Sequence, residues 1–543
     1  MNYFLFETRK AIEFEKVLWA IKPKSVYGKN VQKKLAPFAP GQEKELRLEF
    51  EAIREAAVSL KTLKPSRLTE VTTRLNQLPH ITEALGQLED DAVLDDIELF
   101  NMRKFTVLCA VIHALLKAHH VFTPQDLRPL EIPEELAKKF RAFDASYSFS
   151  LNDYATQELI LLQEEMRRLR LQLEKIQSEF SLMLRQKLPK KLRDDWLDDG
   201  VVVSKADAAL LKRLKKVEGL EVETETFSSI RYRRPISAQE VEIEKEIQKL
   251  EQQELEEEQR VRRALTCFLK GYGQFFAKAV ERLGWMDWVL ARASFALENN
   301  AHCPEVITKQ EVHIVDGINL PVKIELSKEG REFSPLSISL ASGVAVITGA
   351  NMGGKTVALR TIALLLALAQ HGIPVTAAQM SFCPVEYICI SGGDDQTGGL
   401  SSFGREVEVF KALLDRKDKA GLELLDEPAR GTNPEEGSAL VIALVEQFLT
   451  QPSLVTMTTH FDNVGRLQSV VHWQVRGLKD VESLSPDADI SAFFDYSLEL
   501  VEGSAGVPQN ALRVASLMGL PPAIIERARK IVLKTEKGGD SFA

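Results

Sequence analysis

Cysteine is scarce in this sequence. Five occur among 543 residues, at Cys109, Cys267, Cys303, Cys383 and Cys389. They form no Cys-x-x-Cys pair and no metal-ligand spacing, which excludes a disulfide scaffold or structural zinc site and predicts reduced, mostly buried thiols. An excess of positive charge is also missing. With a net charge of −9 there is no global attraction to nucleic acid, so any such contact must come from a local basic patch. No basic-then-apolar leader follows Met1, and the Ala- and Leu-rich run 357–370 is too short and too interrupted to span a bilayer. A cytoplasmic protein with no membrane partner is expected. The rest is ordinary: 45% hydrophobic and 27% charged residues, with length for roughly two to four domains.

Against that background one stretch stands out. Val344 to Thr348 is an apolar β-branched run that closes on Gly349-x-x-x-x-Gly354-Lys355-Thr356 and opens into a helical pattern over 357–370, ended by Gly372. Strand, glycine-spaced loop and helix are the context of a P-loop. Its glycines let successive N–H groups face a phosphate, and the helix start adds its positive dipole end. The loop residues Gly349, Asn351, Gly353 and Gly354 are therefore expected to cradle a nucleotide, with Lys355 on its β- and γ-phosphates and the Thr356 hydroxyl offered to Mg²⁺.

The partners of such a loop follow in order. Glu423-Leu-Leu-Asp426-Glu427 reads as an apolar strand ending in two acids: Asp426 to hold Mg²⁺, through water or the Thr356 hydroxyl, and Glu427 to polarise the attacking water. A further strand, 454–459, ends at His460, placed to sense the γ-phosphate. Asp394-Asp395 and Ser401-Ser402-Phe403 precede a helix read over 406–414, for which the serines are good N-caps. Such a helix start can also complete the phosphate site of a neighbouring subunit.

Upstream the chain is mostly helical. Residues 1–121 read as helices and loops, with one helix expected over Ala11 to Ile21 and ended by Pro23. From Leu159 a heptad sets in: Leu159, Leu162, Met166, Leu169, Leu173, Ile176, Phe180 and Met183. A second, acidic helix runs from about Ser237 to Leu269, with Ile243, Ile247, Leu250, Val261, Leu265 and Phe268 on one face. The two are expected to pair antiparallel as an arm, with about fifty residues between them as a tip. Lys187, Lys190, Lys191, Arg193, Lys212, Arg213, Lys215, Lys216, Arg231, Arg233 and Arg234 cluster in that tip. Asp194, Asp195, Asp198, Asp199, Glu218, Glu221, Glu223 and Glu225 are interleaved with them. Composition leaves two readings open, a phosphate clamp and a mixed-charge solvated surface. A further apolar helix, over 280–297, precedes a break at 299–304.

These motifs carry a family resemblance. Thr348 to Thr356 resembles the P-loop of the MutS ATPases, which typically have Pro where this chain has Ala350. Leu425-Asp-Glu-Pro-Ala-Arg-Gly-Thr432 resembles their Asp-Glu motif. Ser401-Ser-Phe403 with Glu406 resembles their dimer-spanning signature, and Thr458-Thr-His460 their histidine switch. Gly519-Leu-Pro-Pro-Ala-Ile-Ile-Glu-Arg-Ala-Arg529 resembles their closing dimerisation segment. The likeness covers about Glu311 to Lys530. It extends more weakly to the arm, where Arg231-Tyr232 followed by Pro235 resembles the return from clamp to lever.

The resemblance implies an α/β ABC-type P-loop ATPase domain preceded by a mostly α-helical lever and coiled-coil arm region. The corresponding domains are 1–135 (helical), 136–310 (lever helices, arm and a tip at about 187–237), 311–505 (ATPase) and 506–543 (dimerisation). It implies a homodimer using ATP and Mg²⁺. Each site would take Lys355, Thr356, Asp426, Glu427 and His460 from one chain and Ser401 or Ser402 from the other, with Phe333 near the adenine. Departures from the pattern accompany it. No mismatch-reading domain or Phe-x-Glu wedge is found, Gly317-Ile-Asn-Leu-Pro321 stands where the family has Gly-Arg-His-Pro, and Leu336 replaces an Asn. No nuclease-like domain is expected after Lys530. The leading expectation is a dimeric ATPase moving clamp arms on DNA, in mismatch repair or recombination. The alternative is an ATP-dependent subunit remodelling a protein client, such as a reactivase of a cobalamin-dependent lysine aminomutase. An SMC-like ATPase is disfavoured, because the coiled coil is short and precedes the P-loop.

Overall fold

The computed structural model describes residues 3–141, 149–188, 190–192, 200–349, 354–392, 402–430, 432–478, 494–501, 512, 515–516 and 519–537. The chain forms two compact units. One gathers Pro79–Cys109 and Ile132–Ala277; the other gathers Met1–Leu78, Ala110–Glu131 and Lys278–Ala543. These units interleave distant segments, so their boundaries differ from the sequential division at 135, 310 and 505.

In the first unit, helices Gln157–Lys187 and Ala238–Lys270 run side by side. Each starts on a hydroxyl cap: Thr156 accepts from the Leu159 amide, and Ser237 forms a capping box with Glu240. Their direction follows from cross-helix contacts. Thr156 donates to Glu257 at 2.7 Å, Gln163 to Glu254 at 3.0 Å and Arg170 to Glu251 at 2.8 Å. Partner numbers fall as the first set rises, so the pair is antiparallel. The apolar seam runs as the heptad predicts up to Phe180 and then slips by one residue. Leu184 is fully buried, whereas Met183 is 42% exposed. The final step is a spacing of four, because the helix there meets the core of a small sheet.

That sheet comprises β1 (Gly200–Ser204), β2 (Glu221–Glu225) and β3 (Ser229–Arg233), antiparallel in the order β1-β3-β2. Leu184, Leu188, Val201, Val203, Leu214 and Tyr232 form its core.

The second unit contains two sheets among its described residues. The smaller joins β4 (Glu305–Val306), β5 (Glu311–Gly317), β6 (Leu336–Ala341) and, after β7 (Gly343–Thr348) of the larger sheet, β8 (Gln379–Phe382), in the order β4-β8-β5-β6. The larger uses β7 and β9 (Tyr387–Ser391). With β10 (Gly421–Asp426), β11 (Leu454–Thr458), β12 (Val471–Leu478) and β13 (Phe494–Leu500), the larger sheet has the order β13-β12-β7-β11-β10-β9. Its neighbours are parallel except for the antiparallel edge pair β12–β13. The register sets Asp426 beside Thr458 and Thr458 beside Ile347, so three strand ends form one ledge. Ligands of open parallel sheets bind at such carboxyl ends. The Lys355–Gln370 helix is buried on nearly every side, in keeping with its all-round apolar sequence.

The start of the chain covers the β9 edge. Phe4 bridges to Ile388 in parallel, Leu5 donates to Ile388 at 3.0 Å, and the Ile390 amide donates to the Thr8 hydroxyl. Covering an edge removes an exposed pairing template. The single helix expected over Ala11 to Ile21 is instead two short ones, Thr8–Ala11 and Phe14–Leu18, separated at Glu13, whose φ is +55°. Its apolar set, Ile12, Phe14, Val17, Leu18 and Ile21, is buried nonetheless. All five cysteines are free thiols, but only Cys109 and Cys389 are fully buried and Cys267 is exposed, fewer buried than expected. Among the described residues one helix, Asp96–Ala118, is long and apolar enough to cross a membrane. Its most apolar window is 61% buried within the protein, as in a core helix.

Candidate nucleotide site

The site is built on the ledge formed by β7, β10 and β11. At the end of β7 the backbone turns at Gly349 (φ +147°) and re-enters the helix from Gly354 (φ +79°). Both glycines are also hemmed in. A Cβ at Gly349 would lie 2.9 Å from the Val475 side chain, and one at Gly354 would lie 3.0 Å from the Tyr496 ring. Positive φ and lack of space together require glycine.

Lys355 and Thr356 begin the helix and point at the two acids that close β10. The Thr356 hydroxyl donates to Asp426 at 2.7 Å. The Thr458 hydroxyl donates to the other Asp426 oxygen, also at 2.7 Å, and accepts the Glu427 amide at 2.8 Å. Two hydroxyls therefore fix the Asp426 carboxylate. Lys355, only 5% exposed at its side chain, lies 3.2 Å from Glu427 and donates to the Gly349 carbonyl at 2.9 Å. Arg430 approaches the other Glu427 oxygen at 3.0 Å. Glu427 and Ala429 both have positive φ, +47° and +62°. This is uncommon backbone for residues other than glycine and is often found where function demands it.

The structure thus brings Lys355, Thr356, Asp426 and Glu427 together. Their donor set fits Mg²⁺, which needs few protein ligands when phosphate oxygens and waters supply the rest: Thr356 and Asp426 would hold it. His460 lies two residues beyond β11, exposed, with its ring 4.4 Å from Phe461. Phe333 is half-buried just ahead of β6. Asn351, Gly353 and Ser401, along with Asp394 and Asp395, lie outside the described residues. Ser402 opens a helix that runs Ser402–Leu414. The helix therefore starts four residues earlier than expected, and Ser402 is its first residue rather than its cap.

Four contributors had no role of their own assigned from sequence, although Thr458 and Glu406 lie within motifs read there. Thr458 bridges both acids, yet only the strand order makes it their neighbour. Tyr496 on β13 closes over Gly354. His472 on β12 shares a 2.7 Å hydrogen bond with Thr348, the last residue of β7, and burial lowers its pKa. Glu406 accepts the Ala429 amide at 2.8 Å. Tyr496 and His472 carry no local signal, and for all four only long-range pairing reveals the contact.

The small sheet of the first unit modifies the basic cluster. Arg231 and Arg233 pair with Glu223 at 2.7 and 3.6 Å, Lys205 pairs with Glu225 at 2.7 Å, and Arg234 is buried against Glu240. Hydrogen bonds from Arg234 hold the Glu240 carboxyl down at about 2. Arg234 serves the fold, whereas Arg231 and Arg233 remain partly exposed in surface pairs. Lys212, Arg213, Lys215 and Lys216 are exposed on and just after the Ala208–Leu214 helix. Arg193 and Asp194, Asp195, Asp198 and Asp199 lie outside the described residues, as does the side chain of Lys191.

Comparison with known proteins finds a likeness for this geometry. Residues 345–536 match the model of MutS domain V. A protein named Endonuclease MutS2 from Lactococcus lactis subsp. lactis is 27% identical over 484 residues, covering 85% of this chain and 58% of its own length. The Endonuclease MutS2 of Thermomicrobium roseum is 32% identical over 300 residues, 53% of this chain and 36% of that protein. That of Clostridium botulinum (strain Langeland) is 31% identical over 258 residues, 45% of this chain and 30% of that protein. The chain thus spans little more than half the length of these relatives at most. MutS domain V is an ABC-type P-loop ATPase, and residues 345–536 of this chain match it.

Proposed function

We propose that this chain works as a homodimeric, Mg²⁺-dependent ATPase in the cytoplasm, coupling ATP binding and hydrolysis to movement of its paired-helix arm on DNA. The observation that carries the ATPase reading is the convergence of Lys355, Thr356, Asp426 and Glu427 on adjacent strand ends, two of them fixed by Thr458.

Lys355 and Glu427 neutralise each other in a nearly buried pair. An incoming triphosphate offers the lysine a stronger partner and frees Glu427 to orient water. Bound Mg²⁺ would neutralise charge on the β- and γ-phosphate oxygens. Thr458 holds Glu427 through its main chain, so the carboxylate can move while its backbone stays in place. His460 is read as the γ-phosphate sensor and Phe333 as the adenine contact. Ser401 or Ser402 would reach the neighbouring subunit's nucleotide.

The DNA reading is supported by the MutS family and by the exposed Lys212, Arg213, Lys215 and Lys216. Such residues contact phosphates without reading bases. The protein-client alternative draws no support from the relatives. The test is Glu427→Gln: ATP should bind with near wild-type affinity while turnover falls about a hundredfold or more. Wild-type turnover in that variant would refute the assignment of Glu427.

A further inference from the structure

We propose that Glu406 is a positioning residue that ties the helix serving the neighbouring subunit's nucleotide to the turn carrying this subunit's own Glu427. The proposal rests on the shared-site reading above and adds a residue to it.

The turn 427–429 needs external support. Glu427 and Ala429 both adopt left-handed backbone around Pro428, and such conformations persist only where surroundings over-determine them. Thr458 fixes the entry by accepting the Glu427 amide. The exit is Ala429, which is fully buried and whose amide reaches the Glu406 carboxylate at 2.8 Å. Without that acceptor a buried N–H would be orphaned at the exit of the turn. Helix Pro434–Phe448 approaches the turn closely, since a Cβ on Gly437 would lie 3.1 Å from the Ala429 carbonyl.

Glu406 is well placed to carry a signal. It stands four residues after Ser402 in the Ser402–Leu414 helix, on the same helical face. Phe403 packs against the core cluster that contains Ala429. A shift of this helix when its serine end meets a phosphate would therefore be delivered to the backbone two residues after Glu427. Burial raises the Glu406 pKa while the Ala429 amide opposes that rise, consistent with a carboxylate held in place for one main-chain partner.

The experiment compares Glu406→Ala and Glu406→Gln in the full chain by steady-state and single-turnover ATPase kinetics, with thermal melting to confirm folding. Glutamine keeps a side-chain oxygen that can accept the Ala429 N–H; alanine does not. Glu406→Ala should lower kcat about tenfold to a hundredfold with KM for ATP within about twofold, and Glu406→Gln should restore most of the loss. An unchanged kcat in folded Glu406→Ala overturns the proposal. So does a loss as large in Glu406→Gln, or an effect confined to KM. Should Glu406→Ala fail to fold, Glu406→Gln against Glu406→Leu decides by the same criteria. Sedimentation of the Glu427→Gln chain with ATP scores dimerisation separately. A monomer there refutes the shared site and the tie to a neighbour, while the kinetic comparison still decides whether Glu406 positions Glu427.

Discussion

Thr458 shows how much one hydroxyl can carry at the residue scale. It donates to Asp426 and accepts from the Glu427 amide, so its removal loosens both acids at once. Thr458→Val should reduce kcat about tenfold to a hundredfold, while Thr458→Ser should retain most activity; ATPase assays on the two variants check this. His371 gives a second residue-scale prediction. It is packed among Tyr3, Phe4 and Phe14 and donates from its ring to the Ala367 carbonyl. Burial, aided by the Arg9 charge, lowers its pKa from an ordinary 6.5 to about 4. The folded state therefore binds its proton more weakly than the unfolded state does. Its contribution to stability is complete above about pH 6.5 and is lost as pH falls through about 4, amounting to about 3 kcal/mol. Urea midpoints across that range should fall less steeply for a folded His371→Phe variant than for the wild type.

At the scale of elements, the slip at the end of the heptad makes an unusually direct comparison. Leu184 is fully buried in the core of the small sheet, and its neighbour Met183 is 42% exposed. Leu184→Ala should cost about 2–5 kcal/mol, whereas Met183→Ala should cost less than about 0.5 kcal/mol. Hydrogen exchange in 200–233 reads this locally, since a single global melting curve is ill-suited to a chain of two units. Equal protection loss in both variants would place Met183 in the seam alongside Leu184. The buried pair Arg292–Glu49 illustrates a related point. Arg292 also donates to the Gly372 carbonyl at 2.7 Å, just beyond the P-loop helix. Glu49→Leu would leave that guanidinium without its charge partner, at a cost of roughly 3–5 kcal/mol.

For the whole molecule the decisive question is how sites are shared. Mixing a Ser401→Ala/Ser402→Ala chain with a Lys355→Ala chain should leave at most one working site per mixed dimer. Full activity in the mixture would exclude shared sites. DNA is tested in parallel with duplex, mismatched and branched forms at two salt concentrations. Backbone contacts through Lys212, Arg213, Lys215 and Lys216 predict binding that weakens steeply with salt. Lack of binding at low salt would remove DNA from the reading.

The sequence was sufficient wherever function depends on neighbours in the chain. Gly349 to Thr356 marks a P-loop because phosphate binding needs glycines, a lysine and a helix start within eight residues. Asp426-Glu427 is legible because apolar residues before two acids end a buried strand. The antiparallel helix pair is legible because a 3.5-residue apolar period persists over several turns. Folding was needed for whatever depends on strand order and backbone hand. Thr458 touches Asp426 because β10 and β11 are neighbours, although about thirty residues separate them. The left-handed turn at Glu427 and Ala429 carries no glycine to announce it and is held by Thr458 and Glu406 from elsewhere. Arg231, Arg233 and Arg234 look like one phosphate patch in one dimension, but in three Arg234 turns inward to Glu240 while Arg231 and Arg233 pair with Glu223 at the surface. Charge composition is additive along a chain, but pairing is a property of proximity.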